Sequence, residues 1–249
     1  MTRVLVTNDD GIDSPGLHSL AIAAVEAGHE VTIAAPQRQS SGTSASITAA
    51  EEDGRIQIER RDLPGLDGIP AFAVRGAPGL IALIAAHGAF TAVPELVLSG
   101  INHGANVGRA ILHSGTVGAA LTGGLNGARA LAVSLDVGFD PEEFHWDAAA
   151  HVARGLIPYL LEQPAGTVIN LNVPNAAAAP DVREATLAPF GIVQTTMTQE
   201  DASHVRLAVE DLPNTPEPGS DAALLAEGYA TITGIVPVSQ VALPTFSGS

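Results

Sequence analysis

Val4-Leu5-Val6-Thr7-Asn8-Asp9-Asp10-Gly11 decides the reading of this chain: an apolar run meets two adjacent carboxylates and a glycine. Such a run suits a parallel strand buried on both faces, and the carboxyl end of that strand opens onto the ligand crevice of an α/β sheet. Two aspartates held side by side in a tight turn repel each other unless a cation lies between them. Donors that are all oxygen point to a hard divalent ion, Mg²⁺, Mn²⁺ or Ca²⁺, rather than zinc. Asp10 or Asp13 can also serve simply as a cap for the following helix. One carboxylate suffices for a cap, so the pair favours a metal.

Outward from this stretch, strand-like runs recur at 3–7, 31–35, 71–74, 96–99, 131–135 and 168–173. Helical spacing joins Leu17, Leu20, Ala21, Ala24 and Val25, then Leu80, Leu83, Ile84 and His87, and further helices are expected over 117–125 and 146–161. Strands alternating with helices imply βαβ units, hence an α/β fold of three layers: a mostly parallel, Rossmann-like sheet with helices on both faces. Residues 51–68, with alternating Ile56 and Ile58, read as a hairpin excursion. The catalytic core is expected over 1–174. Residues 175–249 read as an irregular C-terminal extension of the same domain, with loops at 176–180 and 214–220, strands near 205–209 and 230–235, and a segment for subunit contacts.

Composition removes several classes of function. The 249 residues suit one large α/β domain or a domain with a small appendage, and 46% apolar residues can fill its core. The absence of cysteine rules out disulfides, thiolate metal sites and cysteine nucleophiles. A net charge of −16 argues against long nucleic acid and anionic membranes as partners. All 11 basic residues are arginine, so a Walker lysine, Schiff-base chemistry and lysine general bases are excluded. Phosphate, if bound, must be held by metal, backbone N–H groups, hydroxyls or arginine. No apolar run approaches the ~18 residues that span a bilayer. The N-terminus enters a strand without a basic, apolar leader, so a cytoplasmic protein is expected. No G-x-G-x-x-G, calcium-loop or G-x-S-x-G motif is present.

Three more segments stand just beyond strand ends. Ala35-Pro36-Gln37-Arg38-Gln39-Ser40-Ser41-Gly42-Thr43-Ser44 is rich in hydroxyls and backbone donors, and alone it reads as an ordinary Ser/Gly loop. Ser99-Gly100-Ile101-Asn102-His103-Gly104-Ala105-Asn106-Val107-Gly108 offers asparagine carbonyls, good neutral ligands for Mg²⁺ or Ca²⁺. His103 there is a candidate acid or base. His113-Ser114-Gly115-Thr116-Val117-Gly118 turns into an apolar helix whose free N–H groups suit phosphate without lysine. Ser114 or Thr116 can cap that helix and still face a ligand.

These motifs, with Ala132-Val133-Ser134-Leu135, Asn170-Leu171-Asn172-Val173-Pro174 and Glu227-Gly228-Tyr229, resemble in order and spacing the SurE family of stationary-phase survival proteins, metal-dependent nucleotide phosphatases. The resemblance covers nearly the whole chain. It implies one divalent ion, Mg²⁺ or Mn²⁺, per subunit, held by Asp9, Asp10, Ser41 and Asn102. It places Asn8, Gly42, Asn106, Ser114, Gly115 and Thr116 at the phosphate or substrate, and it implies a homodimer or homotetramer.

The chain departs from the family pattern at Gly76-Ala77-Pro78-Gly79-Leu80-Ile81, where Gly-Thr-Pro-x-Asp-Cys is usual, and at Gln37, His113 and Thr122. The expected reaction is hydrolysis of nucleoside 5′- or 3′-monophosphates. Asp9 and Asp10 are the catalytic carboxylates, and the water-activated and covalent aspartyl routes both stand open. His103 and His113 are the candidate leaving-group acids. The changed segment keeps a second substrate class in play, another small phosphate ester such as a sugar phosphate. A non-catalytic phosphometabolite-binding protein on the same fold is the competing class.

Overall fold

Strand β1 (Arg3–Thr7) is buried from Val4 onward, and its alternation feeds two cores. Val4 and Val6 join one apolar cluster while Leu5 joins the other, as the two-residue period of a strand requires. The computed structural model of the chain describes residues 1–249 except 50, 53–54, 139–140, 190–193, 200–204, 211–215, 237 and 243–249.

After β1 come α1 (Pro15–Glu26), β2 (Glu30–Pro36), the short β3 (Glu51–Glu52) and β4 (Arg55–Ile56), then β5 (Ile58–Arg61), β6 (Ala71–Val74) and α2 (Pro78–Ala86). The middle of the chain forms β7 (Leu96–His103), a 3₁₀ turn (Gly108–His113), α3 (Gly115–Leu125), β8 (Arg129–Asp136), α4 (Trp146–Glu162) and β9 (Val168–Pro174). Beyond it lie β10 (Val182–Glu184), β11 (Gln194–Gln199), β12 (Val205–Glu210), α5 (Asp221–Ala226) and β13 (Ala230–Ile235).

Nine strands form one sheet in the order β10-β13-β9-β8-β7-β1-β2-β6-β5. The six strands from β9 to β6 run parallel, and β13 and β5 pair antiparallel at either end of that block. Leu17, Leu20 and Ala24 of α1 share one core with Val152, Ile157 and Leu160 of α4. On the other face, Ile81 and Ala85 of α2 pack with Val117 and Ala120 of α3. The expected three-layer, Rossmann-like α/β architecture is therefore present. Each fully buried leucine or isoleucine stabilises this core by roughly 1.5–3 kcal/mol. Among the described residues no helix is long and apolar enough to cross a membrane.

The expected excursion at 51–68 divides. Ile56 belongs to β4, which pairs with β3, whereas Ile58 opens β5, an edge strand of the main sheet. Beyond residue 174, β13 inserts between β9 and β10, so this stretch continues the sheet. Strands at 205–210 and 230–235 appear as expected, but β10 and α5 had no apolar periodicity to announce them. Asn214 and Thr215, in the expected loop at 214–220, lie outside the described residues.

Candidate active site

Strand order reverses around β1: the chain moves from β1 to β2 and β6 on one side, then crosses to β7, β8 and β9 on the other. Crevices for ligands open at such a switch point, beyond the carboxyl ends of the strands. Asp9 and Asp10 leave β1 there. Asn8 fixes the turn: its Oδ1 accepts the Gly11 N–H (3.1 Å), and its Nδ2 donates to the Gly11 carbonyl (3.0 Å) and Ser14 Oγ (2.6 Å). Gly11 has φ +105°, which favours glycine. Ser14 then caps α1, with Pro15 in its first turn. Asn8 is fully buried and its side chain is engaged by the loop, where it holds the aspartates in position.

Asp9 is 4% exposed. Its carbonyl accepts the Ser40 N–H (2.8 Å), and its Oδ1 accepts the Thr116 hydroxyl. Burial pushes its carboxyl above the ordinary carboxylate value; the Thr116 hydrogen bond pulls it back, and the Asp10 charge raises it again. Thr116 is presented by α3, whose N-terminus Ser114 caps through the Val117 N–H (3.1 Å). Glycines let this helix come close. A Cβ on Gly115 would lie 2.8 Å from Asp9 Oδ2 and 2.9 Å from Thr43 Oγ1, and one on Gly123 would lie 2.7 Å from Val97 Cγ2. The helix N-terminus, with its positive dipole end, therefore rests on Asp9.

Asp10 is less buried and is reached from two sides. Its Oδ2 accepts the His103 N–H (3.0 Å), and its Oδ1 accepts Gln39 Nε2 (3.3 Å). The same Gln39 nitrogen donates to Ser41 Oγ (3.1 Å), so two of the expected ligand oxygens face one common donor. Asn102 precedes His103 just beyond a register shift in β7. Gly100 permits that shift: its φ is +139° and a Cβ would collide with the Val133 carbonyl. Asn102 Nδ2 donates to the Gly104 carbonyl (2.7 Å), leaving Oδ1 with no protein donor among the described residues.

The four expected oxygen donors, two of them carboxylate, come from three loops that are joined here: Gln39 donates to both Asp10 and Ser41, and Asn102 precedes the residue whose N–H binds Asp10. No group of three or more His, Asp or Glu suited to a metal occurs among the described residues. A small, hard cation that keeps much of its water needs only one or two carboxylates, and the donor set fits Mg²⁺ or Mn²⁺ on that ground.

Asn106 is wired to the sheet: its N–H donates to Asn172 Oδ1 (2.7 Å), its carbonyl accepts from Asn170 and Asn172 (2.8 Å each), and its Nδ2 donates to Ser134 Oγ (2.8 Å). Only its Oδ1 is left for a ligand. Gly42, at φ +75°, shapes the exposed turn after Ser41. The two histidines separate. His103 lies in the glycine-rich loop beside Asp10, with its ring 5.1 Å from Phe144 and 6.3 Å from Trp146 between centroids, whereas His113 lies at the end of the 3₁₀ turn; both are exposed.

The sequence pattern did not single out Gln39, Phe144, Trp146 or Asp221. Phe144 and Trp146 stack at 5.6 Å and 19°, and Phe144 is 42% exposed, an uncommon setting for an aromatic next to a polar site. Asp221 is fully buried and accepts from the N–H groups of Gly108 (2.7 Å), Ala188 (2.9 Å) and Ala222 (2.8 Å), anchoring the glycine-rich loop from below. A carboxylate opening an Ala/Leu-rich helix was the only sequence signal for it.

The family model described as survival protein SurE matches residues 4–202. The chain belongs to the SurE family. A 5′-nucleotidase SurE of Xanthomonas euvesicatoria is 42% identical over 177 residues, covering 70% of this chain and 64% of that protein. The 5′-nucleotidase SurE of Xanthomonas campestris (strain B100) is 42% identical over 179 residues, covering 71% and 65%. The chain thus spans a little under two thirds of the length of these curated SurE relatives. The crystal structure of a SurE protein from Aquifex aeolicus superposes with a TM-score of 0.74 at 26% identity, covering 96% of this chain and 94% of that one.

Proposed function

We propose that this protein is a metal-dependent phosphomonoesterase that hydrolyses nucleoside 5′- or 3′-monophosphates to nucleoside and phosphate. The observation that carries the reading is the Asp9–Asp10 pair at the switch point with the N-terminus of α3 resting on Asp9. The curated relatives, named as 5′-nucleotidases, support the same reaction class.

Asp9, Asp10, Ser41 and Asn102 would hold the cation. When bound, a divalent ion supplies Lewis-acid polarisation of the phosphoryl group and offsets the repulsion between the two carboxylates. The remaining work falls to the chain. The N-terminus of α3, with the Gly115 N–H foremost, takes the charge on the equatorial phosphoryl oxygens, and Ser114 borders the site, whereas Asn106 Oδ1, an acceptor, faces a hydroxyl of the substrate and not its phosphate. The Thr116 hydroxyl holds Asp9 Oδ1, which leaves Asp9 Oδ2 as the atom that accepts the proton of the attacking water. That engagement and the burial of Asp9 favour the water route over covalent attack by the aspartate. His103, fixed through its own N–H to Asp10, is the better placed of the two histidines to protonate the leaving oxygen. The rings of His103, Phe144 and Trp146 favour a nucleoside, whose planar base can stack on them, over a plain sugar as the leaving alcohol. On the same reading the protein works in the cytoplasm as a homodimer or homotetramer, with residues 175–249 contributing contacts.

The test is phosphate release from a panel of nucleotides and sugar phosphates, with and without Mn²⁺ or Mg²⁺, for the wild type and Asp9→Asn. Metal-dependent release, fastest on nucleotides and lost in the variant, is expected. Sugar phosphates hydrolysed better than every nucleotide would reassign the substrate. Release by Asp9→Asn at the wild-type rate would overturn the mechanism.

A further inference from the structure

A cavity of about 650 Å³ opens between the loop after β2 and the end of β6. Ser40 and Thr43 line it, and both also border the aspartate site. The Ser40 N–H binds the Asp9 carbonyl, and Thr43 Oγ1 shares with Asp9 the space over Gly115. Such a volume exceeds the needs of one phosphate and falls within the range of small-molecule sites.

The walls run against the charge of the whole protein. The chain carries 27 acidic residues against 11 arginines, yet among the described residues two arginines line this cavity, Arg38 and Arg75, and no carboxylate does. Neither belongs to an ion pair among the described residues, where the three pairs use Arg3, Arg61 and Arg154. Arg75 is oriented instead by a neutral partner, its Nη1 donating to Gln57 Oε1 (2.9 Å), and Gln57 and Gln37 also face the cavity. A free guanidinium is a fork of donors matched to phosphate or carboxylate oxygens.

We propose that this cavity is a subsite for a second anionic group, so that the preferred substrate is a phosphomonoester carrying another phosphate on its organic frame. The inference rests on the phosphomonoesterase reading and specifies its substrate. The scissile phosphate lies at Asp9 and Asp10, the frame passes Ser40 and Thr43, and the second phosphate is clamped by Arg38 and Arg75.

The experiment compares kcat/KM within two substrate pairs: adenosine 5′-monophosphate against adenosine 3′,5′-bisphosphate, and fructose 6-phosphate against fructose 1,6-bisphosphate. Wild type, Arg38→Gln/Arg75→Gln and, as a matched loss of charge elsewhere, Arg154→Gln are measured in Mn²⁺. The wild type is expected to favour the bisphosphate by about tenfold or more in at least one pair, the scale of a charge-assisted contact. That ratio should collapse toward one in the double variant, persist in Arg154→Gln and shrink with added salt. The pair with the larger ratio identifies whether a nucleoside or a sugar carries the second phosphate. Equal rates within both pairs, or a preference that survives the double variant, would overturn the subsite and leave the phosphomonoesterase standing. Should no ester be hydrolysed, the parent reading fails, and titration calorimetry with the same unreacted pairs decides the subsite. Tighter, Arg38/Arg75-dependent binding of the bisphosphate upholds it, and equal binding overturns it.

Discussion

Gly118→Ala isolates how the α3 helix positions the site. Gly118 lies one turn into the helix, where a Cβ would collide with the Ser44 carbonyl and sit 2.6 Å from the Ala45 nitrogen. That nitrogen alone, where ordinary contact begins at 3.4 Å, must retreat by 0.8 Å, and it belongs to backbone that cannot rotate away. Ser44 is itself tied to the 3₁₀ turn through its N–H to the His113 carbonyl (3.3 Å) and its Oγ to the Leu112 carbonyl (2.6 Å). Overpacking of this kind costs about 1–3 kcal/mol. Alanine in a helix returns about 1 kcal/mol over glycine. Because both partners are backbone, the upper half of the overpacking range applies, and the net loss is about 1–2 kcal/mol. For a chain of this size that lowers Tm by roughly 2–8 °C. The shift carries Ser41 and Thr43 away from Asp9, so metal-dependent phosphate release should fall by more than the fraction unfolded explains. Gly155→Ala is the internal control: it lies inside α4, is exposed, and a Cβ there meets nothing within 4 Å. It should raise Tm by about 2–4 °C and leave release unchanged. Both variants are followed by circular dichroism melts and release assays at a temperature where each is folded. Equal stabilisation by the two alanines, or a destabilised Gly118→Ala with wild-type release, would refute the coupling of α3 to the loop.

Asp9→Asn keeps an acceptor for the Thr116 hydroxyl but removes a buried charge, so in chelator it should be more stable than wild type by on the order of 1 kcal/mol. The rise in wild-type Tm on adding Mn²⁺ should vanish in the same variant; paired thermal melts check both points, and an unchanged or lower Tm in chelator would contradict the first. Asp221→Ala leaves three N–H groups without their acceptor and should cost at least about 3 kcal/mol. Hydrogen exchange should then show lost protection at Gly108 and Ala188, and protection retained there would count against the anchoring role. Phe144→Ala should raise KM for nucleotides several-fold with little change for sugar phosphates; a parallel rise in both would remove the aromatic group from base recognition.

What the sequence displayed, and what it hid, divides by the distance over which the information is stored. Asp9 and Asp10 were legible because strand, turn and carboxylates lie in one continuous stretch whose periodicity is local. The helices at 17–25 and 146–161 were legible for the same reason. Gln39 was not, since its importance lies in donating to Asp10 across 29 residues, and a glutamine in a Ser/Gly loop carries no local signal of that. Asp221 reaches Gly108 across 113 residues and Phe144 meets His103 across 41, so both are products of chain crossing rather than spacing. Asn8 shows the reverse case. The resemblance implies a ligand contact there, while Gly11 and Ser14, three and six residues on, engage its amide in the loop.

Net charge is the sharper case, because the sequence gives its sum and conceals its arrangement. A value of −16 argues against polyanionic partners only if the charge is spread evenly, and at physiological ionic strength exposed charges beyond roughly 8 Å are largely screened. What an anion meets is therefore the local wall. Around the cavity that wall holds Arg38 and Arg75 and, among the described residues, no carboxylate, while Asp9 and Asp10 stand next to it behind Ser40 and Thr43. The acidic surroundings then favour small ligands that can enter with their charge placed, since a long polyanion must also cross the repelling surface. An anionic substrate in a strongly acidic protein is thus consistent with both facts. The local excess of arginine holds the ligand, and the global excess of acid limits which anions arrive.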